Sequence, residues 1–120
     1  QELTLTSETS IRFNADLPSA AAGDVSSTVW YRNPDGSVRA GYWTASAGIS
    51  ISLVNHFTEF CSLLDGVVRL TAECGKVDVY RGGEAFIIPA GYTGLWETLE
   101  TCRKFFVIHD VPVPAERPVP

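Results

Sequence analysis

Residues 82–98 read GGEAFIIPAGYTGLWET, and this stretch decides the fold. Two glycines open it, Phe86, Ile87 and Ile88 form a short apolar run, and Pro89-Ala90-Gly91 turns the chain into a segment carrying Trp96. Proline presets φ at roughly −65° and glycine accepts φ > 0, so the pattern predicts turn, strand, turn, strand. Alternation along the second strand puts Gly94, Trp96 and Thr98 on one face and Leu95, Glu97 and Leu99 on the other. The Gly82-Gly83 pair is a turn rather than a phosphate-binding loop, because no helical pattern follows it.

Moving outward, the same punctuation repeats. Gly66, Gly75, Gly83 and Gly91 lie eight or nine residues apart. Residues 28–32 (TVWYR) are rich in β-formers and run into the turn Asn33-Pro34-Asp35-Gly36. Residues 38–44 carry Trp43, and Ile49, Ile51 and Leu53 then alternate with Ser50 and Ser52, the period of a half-buried strand. Asp65-Gly66 reads as a hairpin between residues 59–64 and 67–72. Cys74-Gly75 turns into residues 77–80 (VDVY), and residues 104–108 (KFFVI) form the last strand. No helical period persists beyond a turn or two. Short strands at this spacing predict an all-β sandwich or barrel.

At 120 residues the chain makes one domain, burying about two-thirds of its unfolded surface. Three regions divide it. Residues 1–27 read as an arm with short strands, too poor in apolar residues for a core of its own and so laid on the barrel or on a partner subunit. Residues 28–110 are the barrel. Residues 111–120 (VPVPAERPVP) form a proline-rich tail that cannot join a regular ladder. A net charge of −5, without any Lys/Arg cluster, argues against nucleic acid and anionic membranes as partners. No apolar run spans a bilayer. The first residues lack the basic start and apolar middle of a signal peptide, although the chain does not begin with methionine and a removed leader is compatible with that. Cys61, Cys74 and Cys102 share no metal or dithiol spacing. Reading Cys61 and Cys102 as small core residues and Cys74 as a hairpin-tip residue predicts a reducing, cytoplasmic location.

The spacing from Gly48 onward resembles the cupin superfamily of small jelly-roll β-barrels. Its second motif, G-x5-P-x-G-x2-H-x3-N, matches at Gly83, Pro89 and Gly91; Gly94 stands at the histidine and Thr98 at the asparagine. In the first motif, G-x5-H-x-H-x3–4-E-x6-G, Glu59 falls on the glutamate when counted back from Gly66, and Gly48 can serve as the opening glycine. The two histidine positions fall on Leu53 and Asn55, or on Ser52 and Val54 with the longer spacing. Gly41-x-Trp43, Glu59, Asp65-Gly66, Pro89-Ala90-Gly91, Gly94-x-Trp96-Glu97 and Arg103-Lys104 narrow the likeness. The set resembles the subfamily grouped with the ethanolamine-utilisation cupin protein and ureidoglycine aminohydrolase-like domains. The resemblance implies a single-domain cupin jelly roll, commonly a homodimer, here joined through an edge strand or the arm. Of the usual ligand set only Glu59 is present, and one carboxylate does not hold a transition ion tightly. The expectation is therefore no metal and no other cofactor; a divalent ion at a rearranged site using His56, Glu59 and Glu97 is the alternative.

The candidate site residues follow. Trp96 would project beside the vacated metal position, either as an aromatic ligand wall with Trp43 or as filler for the lost imidazoles. Glu59 is a candidate acid/base or amine-gripping carboxylate if it points inward, or else part of a structural ion pair. Lys104 and Arg103 alternate on the last strand, so one faces in. An inward Lys104 would pair with Glu59 or hold an anion; a rim lysine covering apolar surface with its stem is the other reading. His56 lies one position from the ligand slot at Asn55, and one residue of slip turns a side chain to the other face. Tyr92, with Tyr31, Arg32 and Tyr42, is a candidate for the pocket mouth. Three functions stay open: metal-independent binding of a small metabolite, a small-metabolite hydrolase or isomerase using Glu59 as acid/base, and a structural or partner-binding subunit with a closed barrel.

Overall fold

In the computed structural model, which describes residues 10–110, the chain forms seven antiparallel strands. They are β1 (Val25–Arg32), β2 (Val38–Ala45), β3 (Ser50–Val54), β4 (Thr58–Ala72), β5 (Val77–Arg81), β6 (Ala85–Ile88) and β7 (Thr93–His109). Among the described residues there is no helix, so the all-β jelly-roll expectation holds.

Two long strands organise the rest. β4 and β7 pair with each other along nearly their whole length, from Thr58↔His109 to Ala72↔Gly94. One end of this ribbon carries β6 on β4 and β2 on β7, with β1 outside β2; the other end carries β5 on β4 and β3 on β7. The ribbon therefore belongs to both layers, and side chains from the two ends meet in one core. Trp43 on β2 lies 5.3 Å from Trp96 on the far end of β7, ring centre to ring centre. Ala45, Cys61, Leu63, Val68, Leu70, Phe86, Ile88, Trp96 and Cys102 fill that core.

The ribbon bends at Asp65-Gly66, where the sequence predicted a hairpin. The chain continues instead: residues 58–72 are one strand, and its register against β7 shifts between Leu63 and Val68. Gly66 supplies the bulge with φ +93°, and a Cβ there would come within 2.6 Å of the Cys102 Cα. A seventeen-residue β7 offers partners to both halves of β4, and that pairing wins over folding back. An Asp-Gly step fits a bulge as well as a turn, since both use a left-handed glycine. Gly75, Gly83 and Gly91 do lie in turns.

The described part of the arm is laid on its own barrel. Residues 10–24 contain no strand, and β1 begins at Val25, three residues before the expected boundary. Phe13 packs edge-on against Trp30 and Phe105, each 5.1 Å away. Arg103 donates to the Ala15 and Leu17 carbonyls, and the Tyr42 hydroxyl donates to Pro18 O at 2.8 Å. The first nine residues of the arm and the proline-rich tail lie outside the described residues.

Candidate functional site

β7 sets the site by alternation. Lys104, Phe106 and Ile108 point to the interior, while Arg103, Phe105 and Val107 point out. β2 places Trp43 directly opposite Lys104, and β4 places Glu59 opposite Ile108 on the same inner face. The lysine stem runs along the ribbon to reach the carboxylate. Its Nζ donates to Glu59 Oε2 at 2.9 Å, with the two side chains only 7% and 13% exposed.

Both indoles enclose this ammonium. Nζ lies 4.6 Å from the Trp43 ring centre and 4.3 Å from that of Trp96, so two electron-rich faces share the charge. Trp96 directs its own N–H to Thr98 Oγ1 at 3.0 Å, leaving its face for the cation. Cys61 Sγ lies 3.6 Å from Nζ and donates to Glu59 Oε2 at 3.4 Å. Burial pushes the Cys61 thiol up to about 12 against the pull of Lys104. Burial alone would lower the Lys104 ammonium; the charges of Cys61, when ionised, and Glu59 outweigh it and hold the ammonium above the ordinary lysine value. At neutral pH Lys104 is thus an ammonium and Cys61 a neutral thiol.

Beside the pair opens a cavity of about 200 Å³. Ile51 and Leu53 of β3, Ile88 of β6, and Phe106 and Ile108 of β7 give it apolar walls; Ser27 of β1 lies at its border. Glu59 and Lys104 are its charged groups.

This architecture coincides with a sequence match: the family model described as the EutQ-like cupin domain covers residues 32–106. The chain belongs to the EutQ-like cupin family. Solved structures agree on the fold. This cupin is similar to a putative ethanolamine utilization protein EutQ from Salmonella typhimurium, at 21% identity over 73% of this chain and 71% of that one, with a TM-score of 0.64. It is similar to a DUF861-family protein from Thermotoga maritima at 29% identity, over 54% of this chain and 73% of that one, with a TM-score of 0.52. A cupin superfamily protein from Desulfitobacterium hafniense superimposes over 86% of this chain and all of its own length at 11% identity, with a TM-score of 0.70. No curated protein matches the sequence.

The residues present do not suit the usual cupin ion. Register settles which positions correspond: Ile51 and Leu53 line the cavity and Asn55 is buried, whereas Ser52 and Val54 are exposed. The four ligand positions are therefore Leu53, Asn55, Glu59 and Gly94, and the carboxylate already holds the Lys104 ammonium. A side chain at Gly94 would clash with the Thr71 carbonyl oxygen and stand 2.9 Å from the Tyr92 ring. Among the described residues no three His, Cys, Asp or Glu side chains converge as metal ligands.

Of the candidate residues, the structure gathers Glu59, Lys104, Trp43 and Trp96 and leaves the others apart. His56 is exposed in the β3–β4 connection, and Glu97 lies on the outer face bonded to Arg69 at 2.9 Å, so neither joins Glu59. Tyr92 packs half-buried against the core beside Gly94 and does not line the cavity. Tyr42 is buried under the arm, and Tyr31 is exposed on β1. Cys61, expected only as a small core residue, also touches the pair; its place two residues from Glu59 on one strand face is the signal in the sequence. Asn55 is 5% exposed, and its Nδ2 has no hydrogen-bond partner among the described residues. An unpaired buried amide of this kind costs about 1–3 kcal/mol.

Proposed function

We propose that this cupin binds a small organic molecule in its barrel without a metal, the Lys104 ammonium serving as the cation beside Glu59. The observation that carries this is the Glu59–Lys104 pair, set between two indoles at the wall of an open, otherwise apolar cavity. Small barrels fill their interiors with side chains unless they hold a ligand. A cavity with apolar walls and a few convergent polar groups is the ordinary form of a ligand site. The volume suits a molecule of one ring, since about 150 Å³ is enough for benzene.

The test joins two measurements on protein purified without a histidine tag. Metal analysis is expected to find no stoichiometric ion; a full equivalent of zinc, nickel, manganese or iron overturns the metal-free part. A thermal-shift screen of single-ring and short-chain metabolites is expected to find stabilising ligands whose effect disappears in Leu53→Trp, which fills the cavity. A flat response in the parent protein would favour a closed structural subunit.

A second reading has one observation in its favour. Glu59 Oε2 takes the lysine, but Oε1 accepts no hydrogen bond from the described residues and is not among the buried unpartnered atoms. A carboxylate oxygen open to a cavity can take a proton from a bound substrate, the role of a general base. In that reading Glu59→Gln abolishes turnover while leaving the fold. The anion-holding role expected of Lys104 is weaker, because two of its N–H groups are engaged and the ammonium lies against two indole faces. The homodimer and the cytoplasmic location enter here as proposals too, and light scattering tests the former. Residues 10–24 lie on the chain's own barrel, and the β1 edge and the exposed row Ile87–Phe60–Val107 are the surfaces to mutate.

A further inference from the structure

The hydrogen bonds around Lys104 and Glu59 leave one polar vacancy at the cavity, and its chemistry narrows the ligand. The ammonium has three N–H groups. One goes to Glu59 Oε2 and one reaches Cys61 Sγ, while the indole faces of Trp43 and Trp96 take the remaining positive surface. The third N–H has no hydrogen-bond acceptor among the described residues, and an incoming acceptor would have to compete with the two indole faces for it. On the carboxylate, Oε2 receives both the lysine and the thiol, and Oε1 receives nothing from the described residues. What the cavity offers a ligand is therefore an acceptor oxygen within apolar walls.

We propose that the ligand is an uncharged, roughly single-ring molecule whose polar end, a hydroxyl or an amide N–H, donates a hydrogen bond to Glu59 Oε1. This rests on the reading of the cavity as a ligand site. A bond from a neutral donor to an ionised carboxylate is among the stronger kinds, and apolar surroundings strengthen it further. An anion is disfavoured: it would face the Glu59 carboxylate and would have to draw Lys104 away from both its partner and the indoles. A cation is disfavoured by the Lys104 ammonium, since like charges a few ångströms apart repel. The pair is electrically neutral as a unit, and it selects for a neutral guest.

Four probes of nearly one shape separate these cases: benzyl alcohol, toluene, benzoate and benzylamine. Each is titrated into the full chain at neutral pH, with the side-chain N–H resonances of Trp43 and Trp96 followed by NMR. Trp30, packed outside under Phe13, is an internal control. Benzyl alcohol is expected to shift the two inner indoles and to bind about tenfold more tightly than toluene, the ordinary gain from one hydrogen bond to a charged group. Benzoate and benzylamine are expected to bind more weakly than either. Tighter binding of benzoate or benzylamine than of benzyl alcohol overturns the neutral-donor inference while leaving the cavity a ligand site. Toluene equal to benzyl alcohol overturns the role of Oε1. If none of the four shifts the inner indoles, the cavity reading falls and takes this inference with it. Glu59→Gln supplies an independent check: it frees the Lys104 ammonium from its carboxylate, so the order of benzyl alcohol and benzoate is expected to reverse. An unchanged order in that folded variant counts against the proposal.

Discussion

Arg103 and Lys104 are consecutive on one strand, carry the same charge and do opposite work. Arg103 points out, and its fork gathers several acceptors: Nε and Nη2 each meet Asp65 Oδ2 at 2.8 Å, and Nη1 reaches the Ala15 and Leu17 carbonyls. The Asp65 carboxylate also accepts from the Arg103 backbone N–H at 3.1 Å. One residue thus ties the bulge of β4, the middle of β7 and the arm together. Lys104 points in, where a compact ammonium fits between two rings and one carboxylate. A planar guanidinium suits the first place and a point charge the second, so exchanging the two residues would satisfy neither. Outside, the cation is a clasp; inside, it is half of a buried ion pair.

The largest expected consequence of this contrast lies on the inner side. Lys104→Met leaves the Glu59 carboxylate buried without its partner and is expected to cost about 3–5 kcal/mol in urea unfolding. Lys104→Met combined with Glu59→Gln removes both charges and is expected to recover most of that loss; if the double variant is no better than the single one, the pair is not the unit described. Next comes the bend. Gly66→Ala forces a side chain into a left-handed backbone against Cys102, with an expected loss of more than about 2 kcal/mol. A purely flexible bend would tolerate it.

The outer clasp is expected to matter less. Its carboxylate is 44% exposed, so solvent weakens the attraction, and Arg103→Lys is expected to cost about 1 kcal/mol. The specific readout is the arm: residues 10–24 should gain amide exchange and protease sensitivity while the inner indole resonances stay in place. Loss of those resonances would join the two sides that the structure keeps apart.

The smallest difference at neutral pH grows with alkalinity. Lys104, Cys61 and Cys102 are all raised in the folded chain, the two thiols to about 12 and about 11. Each holds its proton more tightly folded than unfolded, so the associated stability is complete below the unfolded values of 9.0 for the thiols and 10.5 for the amine. It is lost as pH rises through the folded ones. Urea midpoints should fall between pH 9 and pH 12, and less steeply in Cys61→Ala; parallel curves would mean that Cys61 is not coupled to the interior pair.

Much of this could be read in residues alone. Alternation at residues 94–98 and 103–108 told which side chains share a face, and that is local geometry: successive residues of an extended chain point opposite ways wherever the strand lies. Pro89 and Gly91 marked a turn because their backbone preferences act over one or two residues. The same logic failed at Asp65-Gly66, where a left-handed glycine serves bulge and hairpin alike, and the choice depended on β7, some thirty residues further along the chain. His56 and Tyr92 were singled out for their chemistry, and the register of β3 and the packing beside Gly94 left them outside the cavity.

The sequence by itself determined that the protein is an all-β cupin and that its usual ion lacks donors, since strand period, turn residues and missing histidines are all properties of the linear chain. Only the tertiary structure decided what the remaining carboxylate, Glu59, meets. Glu59 and Lys104 are forty-five residues apart, and an ion pair between them depends on the β4–β7 register, the reach of one flexible stem and the closing of two indoles around its charge. None of these is encoded near either residue. They arise where two layers meet, because burying a charge is tolerable only when its partner and its aromatic neighbours arrive together.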